Sequence, residues 1–327
     1  MQLLTNSRRT SYNDCPRKHF FAYELSRRPA VTSDALRFGS LMHNALEIWW
    51  REASIEPVLE FLDSATEDDN TYEIAKARAL MIAYNERYKD DHERYEVVKV
   101  EHEFRAPLIN PRTNHNSQTW LLAGKIDVIV RERSTGAFII IEHKTTSDSI
   151  APDSDYWLRL TIDGQISGYY VGAETSGFSC ECCVYDVIKK PMLKPALATP
   201  EDQRKYTKDG KLYSNQRDTD ETVEEYYDRL TTDIASRPDF YFCRRETVRL
   251  GDDLEDYMKD MWSCGREIRN AQITGYWRRN VGACNRYGMC EYFGVCLKYA
   301  SIDDDTQFVT LDNINPELSA PKEEVAV

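Results

Sequence analysis

Three apolar segments follow one another near the middle of the chain: "YEVVKVEHEFRAPL", "TWLLAGKIDVIVRE" and "GAFIIIEHKTT". Each alternates, or runs apolar, over the length of a strand. "ERSTGA" between the last two supplies the turn residues of a hairpin. Strands this close in sequence commit the chain to a sheet, and a sheet needs other elements to cover its faces. Helical patterns stand ready on both sides. "SYNDCPRKHFFAYEL" opens with Ser11 as its expected cap. "DALRFGSLMHNALEIWWRE", with Asp34 as its cap, puts Phe38, Leu41, Met42, Ala45, Leu46 and Trp49 on one stripe. "YEIAKARALMIAYNERYKD" is amphipathic too. Beyond the three strands, "YWLRLTIDGQISGYYVGAE" reads as one helix and "FSCECCVYDVI" as a fourth strand. "TVEEYYDRL" is helical, "FYFCRRETVRL" a further strand, and "DLEDYMKDMWSCGREIRNAQ" a long helix. The expected class is α/β, with a central mixed sheet flanked by helices.

Residues 1–300 then form one domain. Residues 191–220 carry Pro191, Pro195 and Pro200 and read as a surface insertion. Residues 301–327 hold seven acidic side chains against Lys322 alone and read as a disordered tail. The net charge of −13 argues against broad, nonspecific affinity for nucleic acid. No run approaches the roughly 18 apolar residues of a membrane helix, and no signal peptide is visible, so a cytoplasmic protein is expected. Disulfides are rare there, and clustered cysteines point to metal or redox chemistry.

There are nine cysteines. Strand alternation sends Cys180 and Cys182 to one face and Cys183 to the other, as small buried side chains. Cys243 and Cys264 read as core. Cys284, Cys290 and Cys296 lie in "GACNRYGMCEYFGVC", five residues apart each time. Three thiolates make an incomplete site, since structural zinc and most iron–sulfur clusters take four ligands. Cys15 is the candidate fourth.

The densest chemistry lies in "GKIDVIVRERSTGAFIIIEHKTT". Alternation places Glu142 and Lys144 on one face of a strand, and a neighbouring strand can bring Asp127 beside them. Two hard carboxylates suit Mg²⁺ or Mn²⁺, and a lysine next to them can stabilise negative charge in a transition state. Taken singly, the pieces have plainer readings. A Glu-x-Lys is most often a strand-end ion pair, and a histidine beside an apolar stripe, such as His43 with Glu47 one turn on, more often packs than ligates. Gln165 and Tyr169 share a helix face at i, i+4.

Taken together, in order, the motifs resemble the RecB-like branch of the PD-(D/E)XK nucleases. The GxxxH helix is Gly39-Ser40-Leu41-Met42-His43 and the GxxD strand is Gly124-Lys125-Ile126-Asp127. The ExK strand is Glu142-His143-Lys144, and the QxxxY helix runs from Gln165 to Tyr169. The resemblance implies a restriction-endonuclease-like core. It implies His43, Asp127 and Glu142 as metal ligands with the His143 carbonyl, Lys144 as the catalytic lysine, and Gln165 and Tyr169 bracing the site and meeting DNA. One subset, including AddB-type and CRISPR-associated RecB-like nucleases and phage exonucleases, carries a 4Fe–4S cluster on one cysteine before the core and three after it. Cys15, Cys284, Cys290 and Cys296 match those positions. The trailing cysteines of the best-known members are unevenly spaced, whereas both gaps here are five residues, which keeps zinc as an alternative.

The resulting expectation is a metal-dependent DNA exonuclease of recombination, repair or phage DNA processing, working in a bacterial or phage-infected cell. DNA is the expected partner, with helicase or recombination proteins beside it. The alternative is a catalytically weak DNA-binding partner that keeps the cluster as a clamp; intact Asp127, Glu142 and Lys144 count against it. No GxGxxG is present to support a flavin or nicotinamide electron carrier.

Overall fold

The computed structural model describes residues 1–31, 33–65, 71–286 and 288–318. Its strands are β1 (Gln2–Leu4), β2 (Arg27–Pro29), β3 (Tyr95–Ile109), β4 (Asn116–Glu132), β5 (Phe138–Thr146), β6 (Cys180–Lys189), β7 (Phe242–Thr247) and β8 (Phe308–Thr310). The helices before the sheet are α1 (Asn6–Asp14), α2 (Pro16–His19), α3 (Asp34–Glu52), α4 (Glu56–Ser64), α5 (Thr71–Tyr88) and α6 (Asp91–Arg94). Those after it are α7 (Asp155–Thr161), α8 (Gly164–Thr175), α9 (Val223–Ser236), α10 (Pro238–Tyr241), α11 (Gly251–Thr274) and α12 (Phe293–Cys296). No described helix is long and apolar enough to cross a membrane.

The three central strands form as the sequence implies. β3 and β4 pair antiparallel, and the turn at Gly136 returns the chain from β4 to β5. β5 and β6 pair parallel, with α7 and α8 in the crossover, and β7 closes the sheet antiparallel, so the sheet is mixed. β4 is the long member. β3 follows one of its edges, while β1 and β5 share the other, β1 against residues 120–122 and β5 against residues 128–131. Residues 123–127 of β4 therefore face a gap between two strands, and that gap is where the candidate site lies.

Each face of the sheet buries its own core. Phe38, Met42 and Trp49 of α3 pack with α4, α5 and α9 onto Val128, Val130, Ile139 and Ile141. On the opposite face Ile166 and Tyr169 of α8 and Met261 and Ile268 of α11 cover Ile126, Ile129, Ile140 and Val187. α8 lies very close to the sheet. A Cβ added at Gly172 would fall 2.3 Å from the Phe104 ring of β3, so only glycine permits this approach.

Several expectations need correction. The segment after β5 is two helices, because Asp163 accepts a hydrogen bond from the Gln165 N–H at 2.9 Å and starts α8 anew. Thr5 caps α1, leaving Ser11 inside that helix, and Ser33 caps α3 one residue before Asp34. Between α3 and α5, Glu56–Ser64 form the short helix α4. In β6 the ladder pairs Phe138 with Cys180 but Ile139 with Cys182, so Glu181 is an extra, bulged residue. The bulge turns Cys180 to the α8 face together with Cys183 and sends Cys182 to the α3 face.

The acidic segment also departs from the expected disorder. Residues 301–318 fold back onto the chain's beginning. β8 pairs antiparallel with β2, Phe308 stacks on Tyr292, and Glu317 accepts a hydrogen bond from the Thr5 hydroxyl at 2.6 Å. The apolar Phe308, Ile314 and Leu318 give this charged segment something to bury. Residues 319–327 lie outside the described residues. Residues 191–220 hold one short 3₁₀ turn, Glu201–Gln203, among largely irregular backbone.

Candidate active site

The hairpin of β4 and β5 supplies the acidic residues and the lysine, α3 brings His43 from one face, and α8 brings Gln165 and Tyr169 from the other. The His143 N–H donates to Asp127 Oδ2 at 2.9 Å, fixing that carboxylate across the strand gap. Lys144 Nζ donates to Glu142 Oε1 and to Gln165 Oε1, both at 2.6 Å. Gln165 Nε2 donates in turn to Tyr169 Oη at 2.6 Å. His43 Nδ1 stands 3.6 Å from Asp127 Oδ2. The residues expected from the motifs thus meet in one connected constellation.

His143 contributes differently from its neighbours. Alternation along β5 turns its ring away from Lys144, to 3.3 Å between Nδ1 and Asp186 Oδ2, so only its backbone reaches Asp127. Asp186 is itself held by the Tyr84 hydroxyl and by Arg244 Nη2 at 3.1 Å, and Arg244 Nη1 donates to Asp91 at 2.6 Å. This buried network behind β5 was not readable from motif spacing. Its members lie on four separate elements, and only the fold unites them.

The electrostatics follow from burial. Asp127 and Glu142 are 7% and 1% exposed, and loss of solvent pushes both carboxyls up. For Glu142 the charge of Asp127 adds to burial and the pKa rises to about 7. Burial alone would lower the Lys144 ammonium, but the charge and hydrogen bond of Glu142 outweigh it and hold the group above the usual lysine range. His43 is pushed down to about 4, first by burial and then by the charge of His143. It is therefore neutral at pH 7, with a lone pair to offer.

These groups fit a divalent cation. Two carboxylates are desolvated together, and Glu142 Oε2 is buried without a hydrogen-bond partner. Among the described residues no three His, Cys, Asp or Glu side chains are drawn tightly enough to hold a metal as they stand. Lys144 and the His143 N–H hold carboxylate oxygens that a cation would share.

Far from this site, one cavity of about 400 Å³ is lined by Cys15, Cys284, Cys290 and Cys296 together. All four are free and half-buried. The Asn280 N–H donates to Cys15 Sγ at 3.4 Å, and the Cys290 N–H to the Cys284 carbonyl at 2.8 Å. Burial pushes the Cys290 thiol up to about 11, and the Cys296 thiol rises through burial and the neighbouring Cys15. Four thiols around one cavity, one already accepting a backbone N–H, fit a thiolate-bound metal group. Two other cysteines stay apart from it: Cys264 is buried on α11, and Cys183 in the sheet.

Glu101 and Lys125 also belong to the surroundings of Asp127. Lys125 sits inside the GxxD motif, and nothing in the sequence pairs it with Glu101: the β3–β4 ladder sets Lys125 opposite Glu103, and its ammonium reaches Glu101 two residues along β3.

The chain belongs to the PD-(D/E)XK nuclease superfamily, whose family model matches residues 4–297. That span takes in the Asp127–Glu142–Lys144 constellation and all four cysteines of the cavity. Nucleases of this superfamily generally use Mg²⁺ or Mn²⁺. No curated protein matches the chain. One solved structure, "Crystal structure of SSO0001", shares 16% identity over 72% of this chain and 75% of that chain. Its TM-score is 0.25, too low to bear on the fold.

Proposed function

We propose that this chain is a RecB-like deoxyribonuclease, dependent on Mg²⁺ or Mn²⁺, that digests DNA from its ends and holds a 4Fe–4S cluster on Cys15, Cys284, Cys290 and Cys296. The observation that carries the catalytic reading is the hydrogen-bonded line from Glu142 through Lys144 and Gln165 to Tyr169, beside Asp127 and a neutral His43.

Asp127, Glu142 and His43 would hold the cation, with the His143 carbonyl completing the set. The cation supplies charge neutralisation at the phosphodiester and acidifies water for attack. Lys144 stays protonated, so its part is electrostatic: it donates to developing negative charge and takes no proton. Gln165 fixes the direction of its ammonium, and Tyr169 fixes Gln165. Water adds to phosphorus, the bond to one sugar oxygen breaks, and one end keeps the phosphate while the other gains a hydroxyl.

The cysteine cavity supports a staple. A cluster there would join the chain's beginning to its end across the whole nuclease core, the kind of long closure that gains most from a crosslink. Zinc on the same four thiols is the alternative metal. Action in the cytoplasm of a bacterial or phage-infected cell, beside helicase or recombination proteins, belongs to this reading.

The test compares linear and covalently closed duplex DNA with Mn²⁺, with EDTA, and with Lys144→Ala. Cleavage of linear DNA alone, lost in EDTA and in Lys144→Ala, is expected. Equal cutting of closed circles would replace end-directed digestion by endonuclease action. Iron and sulfide analysis of anaerobically purified protein decides between the cluster and zinc.

A further inference from the structure

Glu101 is a further carboxylate near the gap in the sheet, and the motifs do not mark it. The β3–β4 ladder pairs Val100 with Val128 and His102 with Ile126, so Glu101 and Asp127 stand between the same two rungs. Glu101 has φ of +52°, in the left-handed region that a glutamate inside a strand rarely adopts. Strain of this kind persists only where the surroundings impose it, and it gathers at functional sites. The side chain is largely buried and closes an ion pair with Lys125. Lys125 in turn feels the charges of Glu101, Asp127 and Glu47. It also lines, with Asp127, Gln165 and Tyr169, a cavity of about 180 Å³ at the gap between β1 and β5.

Asp127, Glu142 and Glu101 bring carboxylates to one region where Glu47 and Glu103 also stand close to Lys125, and Lys144 and Lys125 bring the ammoniums. Lys144 is committed to Glu142 and Gln165. Lys125 is held by its ion pair with Glu101 at the end of a flexible stem, the kind of group that a harder cation can displace. A separate observation points to a ligand here: Glu142 Oε2 is buried with no partner. The charge of Glu101 also bears on both Asp127 and His43, so it lies within electrostatic reach of the expected ligands on either side.

We propose that Glu101 is a further residue of the metal site, held in the metal-free protein by Lys125 and released from that ion pair to a divalent cation when the site is loaded. Lys125 is then a place-holder for positive charge. The inference rests on the Mg²⁺ or Mn²⁺ reading of the site, and it assigns Glu101 a role that ends if the cation binds elsewhere.

The experiment is a Mn²⁺ titration of the full chain without DNA, following free Mn²⁺ by electron paramagnetic resonance. It covers the wild type, Glu101→Gln, Lys125→Met and Asp127→Asn, each checked by a metal-free thermal melt. Asp127→Asn should lose binding. Glu101→Gln should weaken it about tenfold or more, the scale on which residues supporting a metal site act. Lys125→Met should tighten it several-fold, because the competing ammonium is gone. Opposite signs for the two partners are what a purely structural ion pair does not give. Wild-type affinity in Glu101→Gln, or weaker binding in Lys125→Met, overturns the proposal while leaving the metal site in place. Wild-type affinity in Asp127→Asn would instead remove the metal site itself.

Discussion

The Asp127–Glu142–Lys144 site and the cysteine-lined cavity differ in what holds them in position. The first hangs on β4 and β5, strands hydrogen-bonded into a six-stranded sheet and buried between two large cores. The second is walled by the single turns α2 and α12, a 3₁₀ turn at Val281–Ala283 and loop backbone that passes through Gly288 at φ +97°. Its own apolar support is the small group of Phe21, Ala22, Tyr23, Tyr292 and Phe308. The sheet presents its site whether or not a ligand is bound. The terminal lobe has only this small core and the three-residue pairing of β2 with β8 to hold it, so a ligand on its four thiols would carry much of its local stability. Damage at the first should silence the protein and leave the lobe's metal in place; damage at the second should loosen the lobe and leave β4 and β5 protected.

Lys144→Met puts the largest strain on that contrast. Single-turnover cleavage should fall by about 10²–10³-fold, the usual loss for one preorganised electrostatic donor. The metal-free protein should also lose about 3 kcal/mol in urea denaturation, because Glu142 is left buried without its partner. Adding Glu142→Gln should recover stability and no activity. If the double variant stays as unstable as Lys144→Met, the stability loss has another source than the stranded carboxylate.

Cys15→Ser and Cys290→Ser test the other half. Both should lose iron and colour alike, and amide exchange should quicken in α2, β2 and residues 280–311 while β4 and β5 stay protected. Cys180→Ser and Cys183→Ser should keep the metal, since both lie in the sheet. A Cys15→Ser protein with a full iron content would detach the chain's beginning from the cluster.

Gly172→Ala should act on the sheet side more gently. Its Cβ would meet the buried Phe104 ring at 2.3 Å, and overpacking of this kind costs about 1–3 kcal/mol. The same push would tilt α8 and its Gln165, so the cleavage rate should fall by less than in Lys144→Met. An unchanged melting temperature would show that Phe104 has room to move.

The contrast also explains what the sequence revealed. Period-two apolar runs located β3 to β7 closely, because a buried strand leaves its mark on every second residue. Asp127, Glu142, Lys144, Gln165 and Tyr169 were legible because each sits at a fixed step within one element. The misses came from places where the step breaks. The Glu181 bulge reversed the expected face of Cys180, and the left-handed turn at Glu101 hid that carboxylate. Asp163 split a helix that apolar spacing alone made continuous. The network of Tyr84, Asp91, Asp186 and Arg244, and the docking of Glu317 on Thr5, depend on contacts between distant segments and have no local signal.

The smallest expected effect is a pH dependence confined to the lobe, and it comes from His19. That ring is buried between Tyr23 and Trp277, with centroids at 5.1 and 5.4 Å, and Tyr12 meets it edge-on. Its Nε2 accepts a hydrogen bond from Arg8 Nε at 3.2 Å, and Arg8 is paired with Glu24. Burial first, then the positive charges of Arg8 and Arg28, push the His19 pKa down to about 2. The folded lobe therefore keeps a neutral ring where the unfolded chain, with a histidine pKa of about 6.5, takes up a proton. Because the unfolded state binds more protons, stability rises with pH in this window. The contribution is fully present above pH 6.5 and is lost progressively as the pH falls toward the folded value. Limited proteolysis or amide exchange at the chain's beginning, followed from pH 7 to pH 5, should show the lobe opening more readily in acid. His19→Gln, which can still accept from Arg8, should flatten that slope. An equal slope in the variant would move the acid sensitivity to another group and leave His19 as packing alone.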